Sequence, residues 1–148
     1  MGLMSFLKGV GEKIFPSTAK EPEVKAAALL AHVQSLKLPF KKLTIKVNED
    51  VVTLEGEVAQ QVDSEKIAIA VGNVEGVASV DNNLVVEEPK PEARYHTVVS
   101  GDWLSKIAKE YYGDANKYMV IFEANKPMLS DPDKIYPGQV LRIPELEA

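Results

Sequence analysis

Residues 87–92, Glu-Glu-Pro-Lys-Pro-Glu, constrain this chain more than any other stretch. Two prolines one residue apart fix two φ angles and remove two amide donors, so neither a helix nor an interior strand can run through them. Charges on both sides keep the segment in water, which is the composition of a tether. A fold must therefore be completed on each side. A second break, Phe15-Pro16-Ser17-Thr18, sets off the first residues. The division this predicts is 1–20, an N-terminal segment; 21–88, a first domain; 89–94, a linker; and 95–148, a second domain. Net charge follows the same division: +2, −6 and −1 for residues 1–20, 21–88 and 89–148.

Composition narrows the chemistry. The 148 residues are 45% hydrophobic, enough for packed cores, and carry 17 basic against 22 acidic side chains. A net charge of −5 leaves no surplus of cations to replace the counterions of a nucleic acid, so no nucleic-acid partner is expected. With no cysteine and only His32 and His96, thiolate metal sites, disulfides and a dedicated transition-metal centre are not expected. No G-x-S-x-G, H-E-x-x-H or P-loop occurs, and no enzyme is expected. His32 reads as a partly exposed helix residue, His96 as an outward-facing strand residue, and Glu55 and Glu57 as charges on a solvent face. No run approaches the roughly 20 apolar residues of a transmembrane helix. Lys8, Glu12 and Lys13 interrupt any secretory signal, so a cytoplasmic location without stable membrane insertion is expected.

Periodicity supplies the elements. Leu3, Phe6, Leu7, Val10 and Ile14 recur at helical spacing and predict a short amphipathic helix that loosens at Gly9 to Gly11, its apolar face packing on the following domain rather than on a membrane. Ala-rich Glu23 to Leu36 predicts a helix stopped before Pro39. Leu43, Ile45 and Val47 alternate, Asn48-Glu49-Asp50 turns, and Val52, Leu54 and Val58 return, a hairpin. A second helix runs from Ser64 to Gly72-Asn73, and Val80, Leu84 and Val86 form a last strand. Beyond the tether the order is β-α-α-β: Tyr95 to Val99, a helix opened by Asp102, another ended by Asn125-Lys126-Pro127, and Val140 to Ile143.

These residues resemble known families. Tyr95-His-Thr-Val-Val-Ser-Gly-Asp-Trp-Leu through Gly113, with Asn125-Lys-Pro127 and Ile135-Tyr-Pro-Gly-Gln-Val-Leu-Arg-Ile-Pro144, is similar to a LysM module. That resemblance implies a glycan groove using Gly101, Asp102, Trp103 and the stretch from Asn125 to Leu129. Trp103 departs from the threonine common there. It could stack on a sugar or fill space against the neighbouring domain, and packing is favoured, as for most lone tryptophans. Val52-Thr-Leu-Glu-Gly-Glu-Val58 with Val74-Glu-Gly-Val-Ala-Ser-Val-Asp-Asn-Asn-Leu84 is similar to a BON domain. The fold class expected is α+β: an N-terminal amphipathic helix, a BON-like α-β-β-α-β sandwich and a C-terminal LysM β-α-α-β domain.

Taken together, the chain resembles the small cytoplasmic potassium-binding proteins of bacteria. The resemblance implies a potassium sensor linked to ionic stress, in which the ion joins the two domains into a compact form. Potassium, as cofactor and partner, needs neutral oxygens that replace its hydration water. Clustered carboxylates would suit calcium or magnesium instead, and no calcium loop is present. Glycines and a helix C-terminus mark where carbonyls can turn toward a cation. On that argument the backbone carbonyls of Leu7, Val10 and Glu12 are expected to meet those of Gly72, Val74 and Val77. The alternative is that both stretches are ordinary helix-ending turns. An unidentified protein partner and, in place of potassium, a glycan of the cell envelope are the remaining partner expectations.

Overall fold

The computed structural model describes residues 3–15 and 21–146, so the start of the chain, the expected break at Pro16 and the last two residues lie outside the described residues. The chain divides into two compact units, Met1–Pro91 and Glu92–Ala148.

The first unit opens with β1 (Leu3–Ser5), then α1 (Pro22–Ser35), β2 (Lys42–Asn48), β3 (Val51–Gln60), α2 (Gln61–Gly72) and β4 (Ser79–Glu88). Its four strands lie in the order β1-β4-β3-β2. β2 and β3 form the expected hairpin, with Asn48 opposite Val51 and Glu49 in the left-handed region at φ 57°. β3 and β4 run parallel, which requires a crossover, and α2 supplies it. Alternation does the rest: Val52, Leu54 and Val58 from β3 and Val80 and Leu84 from β4 are buried with Leu29, Val33, Ile67 and Val71 of the two helices. Within this core the Asn82 amide donates to the Ser64 hydroxyl at 3.0 Å, pinning α2 to β4. Burial of so many apolar side chains, at roughly 1.5–3 kcal/mol each, is what holds the unit together.

The expected N-terminal helix is absent from residues 3–15. Leu3–Ser5 instead pairs antiparallel with β4, Leu3 opposite Asp81 and Ser5 opposite Ser79. The cause is tertiary. The outer edge of β4 carries unpaired amides and carbonyls that a strand can satisfy, whereas a short isolated helix with two glycines gains little. Gly11, at φ 120°, lies outside helical geometry altogether. The apolar stripe is accordingly unused: Leu3 and Leu7 are exposed, and Phe6 alone of the described N-terminal residues is buried.

The second unit is β5 (Arg94–Thr97), α3 (Leu104–Tyr112), a 3₁₀ turn at Ala115–Lys117, α4 (Tyr118–Ala124) and β6 (Val140–Ile143), the predicted β-α-α-β order. β5 and β6 pair antiparallel, and the helices close over them on a core of Val98, Leu104, Ile107, Ile121, Phe122, Leu129, Leu141 and Ile143. Asp102 does not cap α3. That position falls to Trp103, and the Asp102 carboxylate turns back to accept the Val99 amide at 3.0 Å.

Candidate functional site

Residues 6–12 cross the C-terminal end of α2 as a strap. Four main-chain hydrogen bonds hold it to the loop after that helix: Phe6 N–H to Ala78 O at 2.9 Å, Gly76 N–H to Lys8 O at 2.8 Å, Glu12 N–H to Asn73 O at 2.8 Å and Glu75 N–H to Glu12 O at 2.9 Å. The last two make a parallel bridge between Glu12 and Val74. The loop side is rigidly backed, because the Val74 and Val77 side chains are fully buried in the core and fix the main chain between them. The two stretches singled out in the sequence thus meet.

Their six expected oxygens are not equivalent. Leu7 O accepts the Val10 amide at 3.3 Å, Glu12 O the Glu75 amide, and Val74 O the Val77 amide at 3.1 Å. Each such carbonyl keeps a second lone pair. The oxygens of Val10, Gly72 and Val77 take part in none of these bonds. Reasoning from glycine was half right. Gly11 does allow a close approach, for a Cβ there would come within 2.2 Å of Asn73 O. Gly72, however, ends α2 without a left-handed angle, and its missing side chain makes room for an aromatic ring: a Cβ would lie 2.0 Å from Phe6 Cζ. The positive φ of this loop falls at Gly76, at 105°.

Sequence reasoning put Phe6 on a face that packs on the following domain but missed its seat on Gly72, and it passed over the Asn73 and Lys8 oxygens. A ring six positions from the start with no β-branched neighbours gave no sign that it would find a glycine on a distant helix. Charged groups rim the strap. Lys8 pairs with Asp50 at 3.3 Å and Lys13 with Glu75 at 4.0 Å, and an open cleft of about 670 Å³ lies among Lys8, Lys13, Phe15 and Glu75. Burial holds the His32 imidazole of α1 below the usual histidine range, and the Glu12 carboxylate opposes that shift. Among the described residues no three His, Cys, Asp or Glu side chains converge as a metal-ligand group.

The expected glycan residues in the second unit do not form one surface. Asn125 is buried and fully engaged: its Nδ2 donates to Ile121 O at 2.7 Å and Arg142 O at 3.0 Å, and its Oδ1 accepts the Arg142 amide at 2.8 Å. Asp102 is committed to His96, whose Nε2 stands 2.9 Å from Asp102 Oδ2 while Nδ1 stands 3.0 Å from the Tyr111 hydroxyl. His96 therefore faces into the fold, not outward as expected, because Asp102 and the edge-on Tyr111 ring of α3 engage it there. Its hydrogen bond, with that from Val99, holds the Asp102 carboxyl below the usual carboxylate range despite burial. Trp103 is 57% exposed, with the Lys106 ammonium 5.4 Å from its ring centre. A cleft of about 240 Å³ opens beside it, lined by Ser105, Tyr118, Pro132 and Asp133.

Comparison with known proteins adds three findings. The BON domain model matches residues 23–88 and the LysM domain model residues 96–144. The chain is 45% identical over 148 residues to a protein of Escherichia coli O6:H1 named Potassium binding protein Kbp, covering 98% of this chain and 99% of that one. Partial likenesses also occur. An uncharacterized protein of Deinococcus radiodurans is 55% identical over 49 residues, 33% of this chain and 19% of its own length. An esterase of Mycobacterium tuberculosis is 40% identical over 67 residues, 45% of this chain and 13% of its own.

Proposed function

The chain belongs to the family of the potassium binding protein Kbp, a BON domain followed by a LysM domain, and on that premise we propose that it binds potassium through main-chain oxygens where the N-terminal strap crosses the loop after α2. The observation that carries the reading is the reciprocal pairing of Glu12 with Asn73 and Glu75, which brings two carbonyl-rich, non-regular stretches side by side. Uncharged oxygens suit a large monovalent ion whose hydration shell is easily replaced. The end of α2 adds about half a negative charge, and the Glu12 and Glu75 carboxylates add attraction without having to touch the ion. Leu7, Val10, Glu12, Gly72, Val74 and Val77 are the proposed carbonyl donors.

Binding of this kind stabilises the docked strap by mass action, so strap order follows ion concentration. That is the physical basis of a cytoplasmic potassium sensor acting in ionic stress through a protein partner. Compaction of the two domains by the ion is part of the same proposal. The full-length relative is named for binding rather than catalysis, and the esterase likeness covers a small part of that enzyme. Calorimetric titration with potassium and with sodium, on the wild type, Gly11→Val, Gly72→Val and Glu75→Gln, tests the reading. Loss of binding in the glycine variants with near-normal binding in Glu75→Gln supports it. A response to Glu75→Gln alone contradicts it.

A second reading has one specific observation behind it. Trp103 and Tyr118 border an open cleft in the LysM domain, and exposed aromatic rings are suited to stacking on sugars. Pull-down on insoluble peptidoglycan with wild type and Trp103→Ala separates the two readings.

A further inference from the structure

We infer that Phe6 is the positioning residue of the proposed cation site: its ring, seated on Gly72, holds residues 7–12 against the loop after α2 and thereby sets ion affinity. The inference rests on the potassium reading above. Phe6 is 8% exposed, while Leu3 and Leu7 on either side are 66% and 53% exposed, so one ring supplies the apolar anchorage of the strap. The seat fits that ring closely. The three atoms nearest to a Cβ built on Gly72 all belong to Phe6, at 2.0 to 2.2 Å. Gly72 has no left-handed angle, so alanine there is compatible with the backbone and meets the Phe6 ring first.

Position gives the ring its leverage. Phe6 immediately precedes the Leu7–Glu12 carbonyls, and Gly72 immediately precedes the loop that carries Val74 and Val77. Its own amide is tied to Ala78 O at 2.9 Å. Apart from this ring, the strap is held by a three-residue strand, a few main-chain hydrogen bonds and the solvent-exposed Lys8–Asp50 ion pair, the pattern of a segment that opens locally at low cost. An ion that binds only the docked strap has an apparent affinity reduced by the undocked fraction. Removing the anchor therefore weakens binding while leaving the oxygens, and so the preference among alkali ions, as they are.

A double-mutant cycle on the full chain tests this, with calorimetric titration of potassium chloride and sodium chloride against Phe6→Ala, Gly72→Ala and the double variant. Each single change should raise the apparent Kd by about tenfold, the potassium-to-sodium ratio staying constant. In the Phe6→Ala background the Gly72→Ala change should add less than about twofold, because the clashing ring is gone. In choline chloride the urea midpoint should fall in Phe6→Ala as for any buried ring, but lost hydrogen-exchange protection should be confined to the Glu12, Glu75 and Gly76 amides, whereas a purely structural role would spread it to β3 and β4. A wild type that binds potassium with single variants that bind equally well, additive effects, or protection lost across β3 and β4 each overturn the inference and leave the site standing. A wild type that takes up no potassium overturns the site and the inference together.

Discussion

Gly11 and Asn73 approach more closely than any side chain would allow: at Gly11, φ 120°, a Cβ would fall 2.2 Å from the Asn73 carbonyl oxygen, the same oxygen that accepts the Glu12 amide. Neither flexible end atoms nor rotamer changes can relieve that conflict, because the obstacle is backbone. Gly11→Ala should lift the strap from the loop, at a cost of about 1–3 kcal/mol from strain alone. Potassium affinity should fall by about tenfold to a hundredfold. Calorimetry reads the loss, and hydrogen exchange should show the Glu12, Glu75 and Gly76 amides losing protection together.

Acid should weaken the first unit through His32. Its folded pKa lies below the ordinary 6.5 because burial disfavours the imidazolium. The unfolded chain then takes up the proton first, so stability declines as pH falls below about 6.5 and levels off once the folded form is protonated too. His32→Gln should flatten the urea midpoint between pH 7.5 and 5. Glu12→Gln should steepen the decline, since the Glu12 carboxylate on the strap favours the charged imidazole.

The second unit should respond in a different window. Asp102 has a folded pKa below 3.8, chiefly through its hydrogen bond with His96 and then through the Val99 amide. A depressed carboxylate pKa contributes stability that is full above the unfolded value and lost as pH falls through the folded one. LysM unfolding should therefore become easier only below about pH 4. Asp102→Asn should lower stability at pH 7 by about 1–3 kcal/mol and remove most of that acid dependence.

Asn125 and Trp103 should behave as opposites. Asn125→Ala removes three buried hydrogen bonds, to Ile121 O, to Arg142 O and from the Arg142 amide, and should cost about 2–4 kcal/mol in LysM stability. Trp103→Ala removes an exposed ring and should change stability by less than about 0.5 kcal/mol. Denaturant unfolding of the full chain, followed by tyrosine fluorescence and circular dichroism, checks both.

Much of this architecture could be read before any coordinates. The α1–β2–β3–α2–β4 order and the β-α-α-β order follow from apolar alternation in Leu43–Val58, helical spacing in Leu104–Tyr111 and the prolines at 89 and 91, all of which act locally. The first residues were misread because their fate is decided at a distance. Leu3, Phe6 and Val10 have helical spacing, but the open edge of β4 and the gap at Gly72 lie some seventy residues away. His96 was misplaced for the same reason, its partners Asp102 and Tyr111 being brought in by a turn and a helix. The candidate site was legible only as a pair of stretches. Carbonyl donors leave no side-chain signature, and Gly72 turned out to accommodate a ring where a freely turning backbone had been expected.

The central claim is that potassium is held by main-chain oxygens of the strap and the α2 loop. Crystals grown in rubidium chloride test it most directly, because rubidium replaces potassium in a carbonyl site and can be located by its anomalous scattering. The account predicts one strong anomalous peak within coordination distance of oxygens from both residues 7–12 and residues 72–77. A strong peak elsewhere in the chain, or none at those oxygens while the protein still binds potassium in solution, would contradict it.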